Sequence, residues 1–356
     1  ALHALESLRK ITQRIAKICF DENGESKEKN LLQGKDIFQD IWFPLLYCFN
    51  TTIMTAEDLE VRSRALNYMF DSLVAYGNQF DEQFWENICK KLLFPIFGVL
   101  SKHWEVNQFN SHDDLSVWLS TTLIQALRNL IALFTHYFDS LNNMLEGFLD
   151  LLVSCICQEN DTIARIGRSC LQQLILQNVS KFNEKHWEQI GNVFEKLFEL
   201  TTASELFEYD PLHQGRQNSS KTNDPKNAAD DGNVHETVQR AQQEESSEDV
   251  GNETMDSVKK EDGTTSPSAV RSAKTFEDLR PKISIKNSIV VKCVLQLLMI
   301  ELLSELFQNE ELEHHIPYKQ YIQITKLLEK SYEFSRDFNE DYGLRTRLVE
   351  ARVVDK

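Results

Sequence analysis

Apolar residues recur along this chain at the spacing of a helix face, segment after segment. In "ALHALESLRKITQRIAKICF", Leu8, Ile11, Ile15 and Ile18 define one side, the periodicity of an amphipathic helix. The polar run "DENGESKEKN" interrupts it. "DIFQDIWFPLLYCF" reads as a helix that Pro44 either kinks or restarts, because proline offers no N–H to the preceding turn. Thr55 and Asp58 then have the spacing of a capping box, and Val61, Ala65, Met69 and Leu73 follow four apart on one stripe. Gly77, in "AYGN", suits a left-handed cap where that helix ends.

The next stretch is said twice. "FDEQFWENICKKLLFPIF" begins at Phe80 and "FNEKHWEQIGNVFEKLF" at Phe182, and Phe80, Glu82, Trp85, Glu86 and Ile88 match Phe182, Glu184, Trp187, Glu188 and Ile190. With Asp81 and Asn183 as N-caps, each Phe precedes the cap and each Trp is the fourth helical residue. That is the spacing of a hydrophobic staple, which sets the angle at which a chain enters a helix. The echo extends upstream: Val61, Ala65, Met69, Leu73 and Val74 align with Ile163, Gly167, Leu171, Ile175 and Leu176. Two further amphipathic stretches, "DLSVWLSTTLIQALRNLIALFTHYF" and "SLNNMLEGFLDLLVSCIC", lie between the copies. A helix, a turn and a stapled helix, repeated, predict an all-α fold: an α-solenoid of HEAT/armadillo-like hairpins.

The pattern divides the chain into three. Residues 1–212 carry the helical repeats. Residues 213–275 are rich in Ser, Thr, Asn, Gln and acids, with 11 acids and 3 bases between Ala228 and Asp262, too little apolar content to offset the entropy of ordering a backbone. They are expected to form a disordered acidic linker, in which "ESSED" and "TTSPS" are either phosphorylation sites or part of a solvated spacer. Residues 276–356 return to helix. "SIVVKCVLQLLMIELLSELF" (288–307) is apolar nearly all round and is expected to be covered on both sides. The face of the second staple helix bearing Ile190, Phe194, Leu197 and Phe198 is the expected partner, with the C-terminal helices packing on the solenoid end.

Composition supports helices: 12 glycines and 7 prolines in 356 residues leave long unbroken runs. The net charge of −17, from 55 acids and 38 bases, speaks against nucleic acid, which needs clustered Lys and Arg. Seven scattered cysteines predict buried, reduced thiols, and Cys155 and Cys157 point about 200° apart on a helix. No segment has the apolar length of a membrane span, and no sequence motif for a catalytic, cofactor or metal site occurs. The paired glutamates Glu82/Glu86 and Glu184/Glu188 suit the positive ends of helix dipoles. Trp85 and Trp187 are core or interface anchors. Arg62, Arg64, Arg165 and Arg168 flank apolar stripes, where they form either inter-repeat salt bridges or a partner-binding ridge.

The blocks "WFPLLY" (42–47), "VRSRALNYMFDSLVAYGNQFDEQFW" (61–85), "CQENDTIARIGRSCLQQLILQNVSKFNEKHWEQI" (157–190) and "IVVKCVLQLLMIELL" (289–303) resemble, in order, the C-terminal downstream-homology region of the large brefeldin-A-sensitive exchange factors for Arf GTPases, the trans-Golgi Sec-seven and BIG family. The resemblance covers nearly the whole chain outside 214–275. It implies a HEAT-like regulatory region that acts with Arf and Rab-type GTPases, self-associates, and works in a cytoplasmic protein peripheral to trans-Golgi network membranes. The family's "FRLPGEAQKI"-type exchange motif is absent, so the chain is expected to be a non-catalytic fragment with no catalytic residue and no cofactor. The alternative is a HEAT-type scaffold or cargo adaptor whose parent has no exchange activity.

Overall fold

The structure, a computed structural model, describes residues 1–20, 34, 36–100, 122–208 and 285–350. The acidic segment 213–275 lies outside the described residues, as does the start of the stretch expected from Asp114. Among the described residues every element is a helix: α1 (Leu2–Phe20), α2 (Phe43–Thr55), α3 (Leu59–Tyr76), α4 (Glu82–Ile88), α5 (Ile124–His136), α6 (Phe138–Leu141), α7 (Leu145–Ile156), α8 (Asp161–Asn178), α9 (Glu184–Thr201), α10 (Glu205–Glu208), α11 (Ile285–Leu306), α12 (Glu310–His315), α13 (Tyr318–Glu340) and α14 (Tyr342–Glu350). Pro44 restarts rather than kinks: a π-helical turn, Ile37–Trp42, leads into α2, with Pro44 in that helix's first turn. Helix α4 continues through a second π-helical turn, Cys89–Leu93, into a 3-10 stretch, Phe94–Leu100.

The helices alternate between two layers. In one, α1 packs on α3, α3 on α5, α5 on α8 and α8 on α11. In the other, α2 meets the Cys89–Leu93 turn, Phe94–Leu100 meets α7, α7 packs on α9, and α9 on α13. Alternate helices thus stack along the chain, which is an α-solenoid of helical hairpins. Helix α11 takes the next place in its layer, so the alternation carries on from 208 to 285. The described residues belong to one compact unit built from Ala1–Tyr209 and Ile283–Lys356.

Both staples close. Asp81 accepts from the Phe84 N–H at 2.7 Å, and the Phe80 and Trp85 ring centroids are 5.4 Å apart. Asn183 accepts from the His186 N–H at 3.0 Å, His186 Nδ1 accepts from the Asn183 N–H at 3.3 Å, and Phe182 stands 5.5 Å from Trp187. Adjacent residues where α5 gives way to α6 join the copies, Tyr137 against Trp85 and Phe138 against Phe182, at 5.2 and 5.8 Å. Trp85 and Trp187 are 0% and 2% exposed. Gly167 lets α8 lie close on α7: an added Cβ would come within 2.9 Å of the Cys155 Cβ.

Three expectations are corrected. Asp58, not Thr55, caps α3, accepting from the Glu60 and Val61 N–H groups, while Thr55 donates back to the Thr51 carbonyl. The hydroxyl of threonine bonds its own helix readily, which leaves the carboxylate to the orphan N–H groups. Gly77 is right-handed, with φ −63°. It serves close approach: the Trp85 indole N–H donates to its carbonyl at 3.1 Å, and a Cβ would strike the rings of Trp85 and Tyr137. Third, α11 is covered on one side. Leu298, Met299, Leu302, Leu303 and Leu306 are buried, but Val290, Val294 and Leu297 are 50%, 40% and 65% exposed.

The inner side of α11 meets the face expected for it. Ile190 and Phe194 of α9 close with Leu303, Leu306 and Ile324 around a void of only about 10 Å³, close to interior packing density. A polar chain crosses the same junction: Thr201 donates to Gln296 at 2.8 Å, and Gln296 to Ser331 at 3.1 Å. Lys292 pairs with Glu205, pinning α11 to α10 on either side of 209–284.

Trp187→Ala should lower stability by about 3–5 kcal/mol, because it empties a buried ring site, whereas Glu184→Ala, an exposed first-turn change, should cost less than ~1 kcal/mol; denaturant titration compares them. Excising 216–272 and bridging with a short Gly-Ser segment should leave helix content and one cooperative melt, as read by circular dichroism. Two separate transitions would contradict the junction just described.

Candidate functional site

The four arginines singled out by sequence do not converge on one ridge. Arg62 is 8% exposed, with Nε donating to the Ala56 carbonyl, and supports the α2–α3 turn. Arg64 pairs with Glu60 one turn back at 2.7 Å. Arg165 pairs with Asp161 in the same way at 2.8 Å. Such exposed i, i+4 pairs contribute only a few tenths of a kcal/mol.

Arg168 differs. Its side chain is 15% exposed and crosses from α8 to α11, meeting Glu305 at 2.7 Å and Glu301 at 3.6 Å. Gln172 adds a hydrogen bond to Glu305 at 2.9 Å. The Arg168 hydrogen bond, aided by its charge and by Gln172, holds the Glu305 carboxyl below its ordinary value. This pair joins two stretches of sequence that 209–284 separates.

Among the described residues no group of three metal-ligating side chains occurs. Cys89 and Cys155 are pushed up to about 12 and Cys170 to about 11 by burial, so these thiols stay protonated and unreactive. Asn50 and Asn178, which sit in glycosylation-type triplets, are buried and hydrogen-bonded to the Leu92 and Leu174 carbonyls. Among the described residues no helix is long and apolar enough to cross a membrane. The molecule offers extended helix faces and the grooves between them.

The sequence reading missed the most exposed of these. On α11, Val294 and Leu297 open into a groove of about 560 Å³, whose wall includes Arg165 and Glu301. Exposure here could not be read from periodicity, since α11 is apolar on both sides.

Fold and surface together define a helical-repeat array. Comparison with known proteins places it further. Residues 294–356 match the family model described as the BIG2 C-terminal domain. The whole chain is 68% identical to a fifth (20%) of the ADP-ribosylation factor guanine nucleotide-exchange factor SEC7 of Saccharomyces cerevisiae. It is 32% identical, over 98% of its length, to 17% of sec72 of Schizosaccharomyces pombe, also an ADP-ribosylation factor guanine nucleotide-exchange factor. Brefeldin A-inhibited guanine nucleotide-exchange protein 1 of Mus musculus is 22% identical over 88% of the chain and 18% of its own length. The chain belongs to the Sec7/BIG family and fits its C-terminal region. It spans about a fifth of the length of these curated relatives. No solved structure matches it.

Arg168→Ala should cost about 1 kcal/mol at neutral pH, the upper end for a partly exposed ion pair, and Arg64→Ala less than ~0.5 kcal/mol. A carboxylate held below its ordinary value of 4.5 stabilises the fold above that value, and the contribution is lost as pH falls through the depressed one. The difference between wild type and Arg168→Ala should therefore shrink on acidification below pH 4.5; urea midpoints across that range measure it.

Proposed function

We propose that this chain is a non-catalytic regulatory and localisation region of an exchange factor that activates Arf GTPases at the trans-Golgi network for vesicle formation and protein transport. The observation that carries the reading is the match, along the whole chain, to one fifth of an Arf exchange factor at 68% identity. The two-layer array supports it, since stacked helices present long ridges on which a GTPase or a second protomer docks. Docking there shifts the catalytic region between states, provided the partner binds one state better. Arf comes first among the partners, with Rab-type GTPases and self-association as further ones. The protein is cytoplasmic and peripheral on the membrane. We read residues 1–212 and 276–356 as one array and 213–275 as an acidic linker that leaves and rejoins it; the packing of α11 on α8 and α9 supports this division.

The chain alone should leave fluorescent-nucleotide release from Arf at its intrinsic rate, while binding GTP-loaded Arf on liposomes more tightly than GDP-loaded Arf. A dose-dependent rise in release would overturn the non-catalytic reading. Equal binding to both nucleotide states, or none, would overturn the Arf-responsive one.

A further inference from the structure

Val290, Val294 and Leu297 stand at i, i+4 and i+7 on α11, so they line one face of about 10 Å, two turns of helix. All three are among the large hydrophobic side chains left exposed, and Leu297 is 65% exposed. Val294 and Leu297 border a groove of about 560 Å³ whose wall includes Arg165, Ile300 and Glu301. Among the described residues nothing fills it. We propose that this face is a docking groove for an amphipathic helix of a partner protein, one with an aliphatic stripe and basic flanks. The inference goes beyond the exchange-factor reading and does not depend on it.

The shape argues for a helix. Aliphatic side chains at i, i+4 and i+7 beside a groove suit a partner helix, because the partner's own apolar stripe repeats at the same interval. The charge argues for the sign. Arg165 is matched by Asp161 and Arg168 by Glu305. Glu301, 58% exposed, stands 3.6 Å from Arg168 and also acts on Arg165, so three carboxylates (Asp161, Glu301 and Glu305) face two arginines and the local surplus is one negative charge. The chain as a whole carries −17, a field that draws in a basic partner. The same charges count against two other occupants. A second copy seated symmetrically on this face would bring like carboxylates together. An anionic membrane attracts basic residues at its surface, and here the surplus is acidic.

The test uses the full chain and two synthetic helical peptides with the same aliphatic stripe, flanked by Lys in one and Glu in the other. Fluorescence anisotropy at physiological salt should show saturable binding of the Lys-flanked peptide. Leu297→Gln should weaken it at least about tenfold without moving the thermal melt, because Leu297 is outside the core. Glu301→Lys should shift the preference toward the Glu-flanked peptide. No saturable binding of the Lys-flanked peptide, or binding that Leu297→Gln leaves intact, would overturn the proposal. So would sedimentation showing a dimer of the chain that Leu297→Gln dissolves, which would assign the face to a second copy.

Discussion

The burial of α11 against α8 and α9 is the contact on which the rest of the array depends. Five aliphatic side chains, Leu298, Met299, Leu302, Leu303 and Leu306, go from water to interior there, worth on the order of 10 kcal/mol as an upper figure. Bringing together two chain segments separated by the number of residues between 208 and 285 costs about 4 kcal/mol in loop-closure entropy. Burial wins, so the two halves of the helical sequence join into one stack. The polar contacts at the junction set its register more than its strength. Arg168 meets Glu305 only where α8 and α11 are aligned, and Gln296 bridges Thr201 and Ser331 only where α9, α11 and α13 converge.

Much of this was legible in the sequence. The 3.6-residue periodicity located the helices, and the Phe–Trp echo predicted two identical helix entries because a staple needs only local spacing. Ile190, Phe194 and Leu197 marked the face that meets α11 for the same reason. Features that depend on what arrives from far along the chain were not legible. Gly77 reads as a cap from its neighbours alone, but Trp85 and Tyr137 come in over it and make close approach the constraint. Arg62, Arg64, Arg165 and Arg168 look alike in sequence. Arg168 forms a salt bridge to carboxylates of another hairpin, Glu305 and Glu301, and that follows from stacking order. The outer face of α11 was misjudged because an apolar residue records that water is unfavourable there, not which neighbour excludes it.

The functional reading follows from the same architecture. Among the described residues, building two stacked layers uses up Trp42, Trp85 and Trp187, many phenylalanines and Cys89, Cys155 and Cys170, which therefore offer nothing to a partner. What remains for recognition is the outer surface of each layer. The chain belongs to the Sec7/BIG family, and binding of partners by that surface is the role proposed for it. The −17 charge and the exposed aliphatic strip on α11 then bias which partners can approach.

Native-state hydrogen exchange tests the central claim most directly, since it reports the opening free energy of each helix in the intact chain. If α11 is an integral layer of the solenoid, the slowest amides of α8, α9 and α11 should share one opening free energy and fall together as denaturant rises. A separate, lower plateau for α11 and α13, with α8 and α9 unaffected, would show that the C-terminal helices are a loosely attached body and not the continuation of the array.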